Sequence, residues 1–270
     1  ILFLVLNTSS VTLFPVTILL YRAQMGAEDP ASVFIPILIA TSCSTLAGLL
    51  VTAWVQRLRL LDGVVLGSIG GAFALLLALL GWLGTLTADE LQRQSSLVSN
   101  LLIFSLVILF LLAAHLREVD VYESFFGGAR DGFETAIGII PYLLAMLVAS
   151  GVFRASGALD ILLDMVRAGV QALAWDTRWV DTLPTALMKP LSGSGARAMM
   201  IETMNTFGVD SFQGRLAATL QGSTETTFYV LAVYFGAVGI RHSRHALACG
   251  LSADLAGIVA AIFVAYWFYG

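Results

Sequence analysis

Long apolar runs without a charge constrain this chain more than any other feature. Val64 to Leu80 and Leu101 to Ala114 contain no Asp, Glu, Lys or Arg, and they approach the roughly 20 residues that span a bilayer core. Lipid offers the backbone no hydrogen bonds, so such runs either close their own as helices or pair in a barrel of alternating polarity. These runs are uniformly apolar, which excludes the barrel. Composition agrees: 58% of the residues are hydrophobic and 12% charged, against about 25% charged in soluble domains, and the mean hydropathy is +0.88. The expected fold is all-α, a polytopic transmembrane helical bundle whose first partner is the lipid bilayer.

The net charge of -4 is small and the basic residues are scattered, so no nucleic-acid footprint or polybasic lipid patch is present. Cys43 and Cys249 lie in apolar segments without CxxC or His/Cys spacing and read as small core residues. His115, His242 and His245 fall at span ends. No metal site or cofactor is assigned. No Ser/His/Asp or Cys/His arrangement stands out, so there is no catalytic residue and the chain is read as not an enzyme. No basic segment precedes the first apolar run and no Met begins it; Ile1 is not expected to be the natural start.

Seven spans are expected: Ile1 to Tyr21, Phe34 to Trp54, Val64 to Leu86, Leu97 to His115, Ala136 to Phe153, Leu216 to Val238 and Ala246 to Phe268. Between the fifth and sixth, Ala158 to Trp175 sets Leu159, Leu162, Leu163, Val166 and Val170 against Asp160, Asp164 and Arg167, the pattern of an interfacial helix. Pro184 to Phe207 then gives two short apolar pieces joined at Ser192-Gly193-Ser194-Gly195. Each is too short to span, which fits a re-entrant hairpin buried in protein or lining a wet cavity; the alternative is an extramembrane loop. Arg57, Arg59, Arg117, Arg130, Arg241 and Arg244 fall on one side and Asp89 and Glu90, with the single Arg93, on the other, placing Ile1 inside and Gly270 outside. Gly63, Gly67 and Gly71 form a GxxxGxxxG face suited to close helix packing, within the chain or in a homo-oligomer.

Leu6 to Phe14 aligns with Gln221 to Tyr229, matching Asn7 to Gly222 and Ser10 to Glu225, and Leu46-Ala47-Gly48 aligns with Leu255-Ala256-Gly257. The two copies would run in opposite directions. Inverted repeats with broken helices point to a secondary transporter with its site at the repeat interface. On this reading the partner of the second hairpin is expected ahead of Ile1.

Two ionisable residues lie deep in apolar spans. Glu225 is about nine residues into the sixth and Asp254 about eight into the seventh, near the bilayer midplane at 1.5 Å per residue. A charge there costs at least about 2.5 kcal/mol, which marks both as candidates for ion coupling. Gln221, Ser223, Thr224, Thr226 and Thr227 surround Glu225 with groups able to bind a carboxylate, a coupling cation (Na+ or H+) or a polar solute. The alternative is a static ion pair of Glu225 with Lys189 or Arg197. At the hairpin tip, Ser192, Gly193 and Ser194 offer N–H groups beside Lys189 and Arg197, a ready anion site. Asn7, Thr8, Ser9, Ser10 and Thr12 form an uncharged patch ahead of the helix breaker Pro15.

These same segments resemble a known family. LNTSSVTLFPVTILLYR, at Leu6 to Arg22, looks like the signature of spore maturation protein A, and Lys189 to Ala246 closely resembles spore maturation protein B. Together they look like the fused form, within the nucleoside recognition or "Gate" domain group. The resemblance implies a layout similar to concentrative nucleoside transporters and the gates of ferrous iron transporters, in which a hairpin and a broken helix from each repeat enclose the substrate. It divides the chain into a partial first repeat (1–62), connecting helices (63–135) and a second repeat (136–270). By resemblance the hairpin is Pro184 to Phe207 and the broken segments are Asn7 to Thr12 and Gln221 to Thr227. The function expected is an ion-coupled transporter or transporter-like gate for a small polar solute, nucleoside-like or anionic, in the bacterial inner membrane. A non-transporting scaffold, as a homodimer or in a partner complex, is the alternative.

Overall fold

The computed structural model describes residues 2–9, 11–12, 15–57, 88–237 and 242–270, with scattered positions between 67 and 85. The described residues are helical, without a strand. Eleven helices are used below: α1 (Leu2–Thr8), α2 (Val16–Gln24), α3 (Phe34–Gln56), α4 (Ala88–Leu116), α5 (Val121–Ala155), α6 (Ala158–Ala172), α7 (Leu183–Leu191), α8 (Gly193–Phe207), α9 (Phe212–Ser223), α10 (Thr227–Ala237) and α11 (Ala246–Tyr269).

Three helices are long and apolar enough to cross a membrane unbroken: α3 with the short 3-10 turn ahead of it, the Arg93–Leu116 part of α4, and α11. The expected span Ala136 to Phe153 lies inside α5, and Val64 to Leu86 falls largely outside the described residues. The first and sixth expected spans are not continuous helices. Each is two half-helices with a non-helical break between them, α1 and α2 in one case and α9 and α10 in the other.

The centre of the bundle is the antiparallel pair α3 and α11. Phe34, Ile35 and Ile39 at the start of α3 cluster with Val264 and Phe268 at the end of α11, while further along the Ser44 hydroxyl donates to the Ala253 carbonyl at 2.8 Å. Close approach is set by two glycines. A Cβ on Gly48 would lie 2.9–3.1 Å from Val5, Ala253 and Ser9, and one on Gly257 would lie 2.7–3.1 Å from Thr224, Ser44 and the Ser223 carbonyl. Each glycine thus admits one break segment and one residue of the opposite long helix.

Helix α4 docks by its N-terminal half, with Val98 and Ile103 packed on the core. Ser95 donates to the Ala31 carbonyl (3.1 Å) and accepts from the Ile35 N–H (3.0 Å), and Ser96 bonds Asp29. Beyond them Leu101, Phe104, Leu109 and Phe110 are exposed, a surface that suits hydrocarbon and not water. Helix α6 turns Leu163, Val166 and Val170 onto Trp179, Val180 and Leu183, so its apolar face covers the entrance to the hairpin.

Arg22 ties the N-terminal half to the C-terminal half. Its side chain is fully buried, bonds Asp210 at 2.8 Å, and donates to the carbonyls of Val209 (2.9 Å), Pro30 (3.2 Å) and Asp29 (3.2 Å). Asp210 also accepts from the Glu28 N–H at 2.9 Å. By contrast the Asp176–Arg178 pair is about two-fifths exposed on each side, and the Arg178 backbone N–H holds the Asp176 carboxyl below the usual carboxylate range. Leaving a buried cation short of its partner costs about 2–3 kcal/mol, whereas an exposed pair is worth about 0–1 kcal/mol. Asp210→Asn should therefore lower unfolding stability in detergent by that larger amount and Asp176→Asn by the smaller. Equal losses in thermal unfolding would contradict this ranking.

Candidate functional site

Each break has a local cause. Thr8 and Ser9 turn their hydroxyls back on the Val5 carbonyl, at 3.0 and 2.7 Å, ending α1. Pro15, which lacks an N–H and disfavours helix in the residue before it, bars continuation until α2. In the second break the Ser223 hydroxyl bonds Leu220 at 2.9 Å, Thr224 is extended, and helix resumes at Thr227.

The two breaks then satisfy each other. The Glu225 N–H donates to the Thr8 carbonyl at 3.0 Å, and the Thr12 hydroxyl donates to the Gly222 carbonyl at 3.3 Å. The end of α1 and the end of α9 each leave carbonyls without helical partners, and the opposite break supplies a donor to each. Thr45 of α3 adds a donor to the Ser9 carbonyl.

The hairpin is α7 and α8 joined at one extended residue, Ser192. Pro190 closes α7, and the Ser192 side chain caps α8 by accepting from the Gly195 N–H at 3.1 Å. The turn thus sits at Ser192, and Gly193 to Gly195, expected as part of the tip, form the first turn of α8. Gly193 rests on the second break: a Cβ there would lie 2.9 Å from Thr226 Oγ1, and its carbonyl accepts from Gln221 Nε2 at 3.3 Å.

A cavity of about 230 Å³ lies between the hairpin and the breaks. Of the residues singled out in the sequence, Thr12, Lys189, Gly193, Arg197 and Gln221 line it, as do Thr224, Glu225 and Thr226. Thr8, Ser9, Ser192 and Ser223 build its frame through the bonds above. Ser194 shares a 3.2 Å bond with Ser192, and Asn7 accepts from Tyr234 at 3.2 Å, away from the cavity. Thr227 stands behind it, donating to the buried Asp254 at 2.6 Å. Ser10 lies outside the described residues. The sequence reading passed over Val16, Thr17, Tyr21 and Met200, which also line the cavity; the helix restart after Pro15 was the available signal for the first two.

The charges on the wall act on one another through space without bonding. Among the described residues no acid lies within 4 Å of Lys189 or Arg197, and Glu225 has no cation within that distance, so the static ion pair is absent. Lys189 is only 6% exposed, the Arg197 guanidinium lies 5.7 Å from the Tyr21 ring centroid, and Gln221 Oε1 has no partner. Such groups can bind a polar solute that supplies the missing contacts.

Comparison with known proteins locates this arrangement. The "Gate" family, described as nucleoside recognition, matches residues 136–241, which include the hairpin and the second break. Spore maturation protein B of Bacillus subtilis (strain 168) is 47% identical over 160 residues, covering 59% of this chain and 88% of that protein. The chain belongs to the spore maturation protein A/B-like family. No solved structure matches. As a family member it is a multi-pass membrane protein.

The Thr227–Asp254 contact has a measurable consequence. Thr227→Val strands a buried carboxylate and should cost about 1–3 kcal/mol, while Thr227→Ser keeps the donor. In a double-mutant cycle with Asp254→Asn the two changes should be non-additive. Additive losses would mean that the contact contributes nothing.

Proposed function

We propose that the chain is a transporter, or a transporter-like gate, for a small polar solute in the bacterial cytoplasmic membrane. The observation that carries this reading is the cavity closed by a hairpin tip and two broken helices, with Lys189, Arg197 and Glu225 outside any ion pair and Gln221 Oε1 without a partner on its wall. Non-helical backbone at membrane depth is tolerated where it lines such a space.

The halves are read as inverted repeats, as in the core of concentrative nucleoside transporters. Support comes from the reciprocal glycines, Gly48 against Ser9 and Ala253, Gly257 against Thr224 and Ser44. Under the alignment of Asn7 with Gly222 and Gly48 with Gly257, these two sets of neighbours exchange. Access would alternate as one repeat rocks against the other, with Glu225 at the cavity and Asp254 behind it coupling the movement to Na+ or H+. No catalysis is proposed.

Uptake into proteoliposomes of the purified chain tests this reading. With labelled nucleosides and small carboxylates outside, saturable uptake should appear for at least one solute, respond to an imposed Na+ or pH gradient, and fall at least tenfold in Glu225→Gln. Absence of uptake under every gradient would favour a scaffold whose polar segments cement a homodimer or a partner complex.

A further inference from the structure

Resting on that solute-site reading, the cavity also indicates what the solute carries. We infer that it receives a compact oxyanion, the phosphate or carboxylate group of a soluble small molecule, held between Lys189, Arg197 and the first turns of α2 and α8.

Arg22, Arg130, Arg167, Arg178 and Arg215 each meet an Asp or Glu. Lys189 and Arg197, which line the cavity, do not. A buried ammonium without a counter-ion is costly, and in folded proteins such groups are paired or serve a ligand. Lys189 is 94% removed from solvent by its 6% exposure, makes no hydrogen bond with a described residue, and borders empty space. Glu225 and Asp254 act on it through space without bonding it, and the position left open for a bonded anionic partner is the cavity.

Helix ends supply the second contribution. The cavity is bordered by Val16 and Thr17 at the start of α2 and by Gly193 at the start of α8. Pro15 gives α2 no side-chain cap, and the Ser192 cap of α8 is used by Gly195. The N–H groups of Val16, Thr17, Gly193 and Ser194 stand outside the helical ladder, at the positive ends of two helix dipoles. Against them, the end of α9 brings Gln221 and Gly222 to the same wall, its Gly222 carbonyl taken by the Thr12 hydroxyl.

Two carboxylates act against an anion. Asp254 is buried behind Thr227, which donates to it, and Glu225 is an exposed residue on the cavity wall. Glu225 also acts on Lys189 through space, so it competes with the anion and limits its affinity. At about 230 Å³ the space is below the roughly 300–1,000 Å³ typical of drug-sized ligand pockets, which restricts the bound group to a compact one.

The test measures thermal shift and titration calorimetry on the full chain in neutral detergent, in phosphate-free buffer at constant ionic strength. The probes are inorganic phosphate, acetate, uridine and uridine monophosphate, with phosphatidylglycerol as a lipid arm. A saturable shift is expected with an anionic probe and a much smaller one with uridine. Lys189→Met and Arg197→Gln should each weaken anion binding about tenfold, the loss of one charge-assisted contact, and Glu225→Gln should tighten it. Either cationic variant suffices if the other fails to fold. Uridine binding as tightly as its monophosphate, unchanged by Lys189→Met and Arg197→Gln, would overturn the oxyanion while leaving the solute site standing. Anion binding unaffected by both variants, or a Lys189-dependent shift from the lipid alone, would overturn it as well. No shift with any probe would remove both the oxyanion and the solute site.

Discussion

Breaking a helix inside hydrocarbon exposes carbonyl and N–H groups that lipid cannot satisfy, each at a cost of several kcal/mol. The rest of this structure depends on how that cost is met. The Thr8 carbonyl takes the Glu225 N–H and the Gly222 carbonyl takes the Thr12 hydroxyl, so neither break is stable without the other. Around this crossing, Gly48 and Gly257 let the breaks press against α3 and α11, and the hairpin closes over the second break through Gln221 and Gly193. The cavity is the space these requirements leave.

The same dependence explains the link between the halves. Arg22 follows the first break by one short helix, and Asp210 lies in the turn between the hairpin and the second broken helix. Their buried bond fixes α2 against the hairpin side of the molecule, so a displacement of the hairpin would have to move or break a charged contact. That gives the fold a defined connection through which one half can act on the other.

Much of this was legible in the sequence because local chemistry dictates it. Pro15 ahead of α2 and a hairpin turn near Ser192 are decided by a few neighbouring residues, and hydropathy alone marks α3, α4 and α11. What escaped depends on distant partners. Nothing near Arg22 announces Asp210, 188 positions away, and nothing near Glu225 indicates that Lys189 and Arg197 pass it by unpaired. Asp254 was marked as a buried acid, but its Thr227 donor comes from a different helix. Tyr21 and Met200 read as ordinary apolar positions, and only packing turns them toward the cavity.

A path for a solute requires the crossing to enclose a water-filled space at membrane depth and not a dry seam. That requirement is tested most directly by thiol accessibility in a chain freed of Cys43 and Cys249, with single cysteines at Glu225, at Thr226 and, as a dry control, at Ala261, which is fully buried. A charged, membrane-impermeant thiol reagent should modify Glu225→Cys and Thr226→Cys in the lipid-embedded protein and leave Ala261→Cys untouched. Cavity cysteines as inert as the one at position 261 would contradict it.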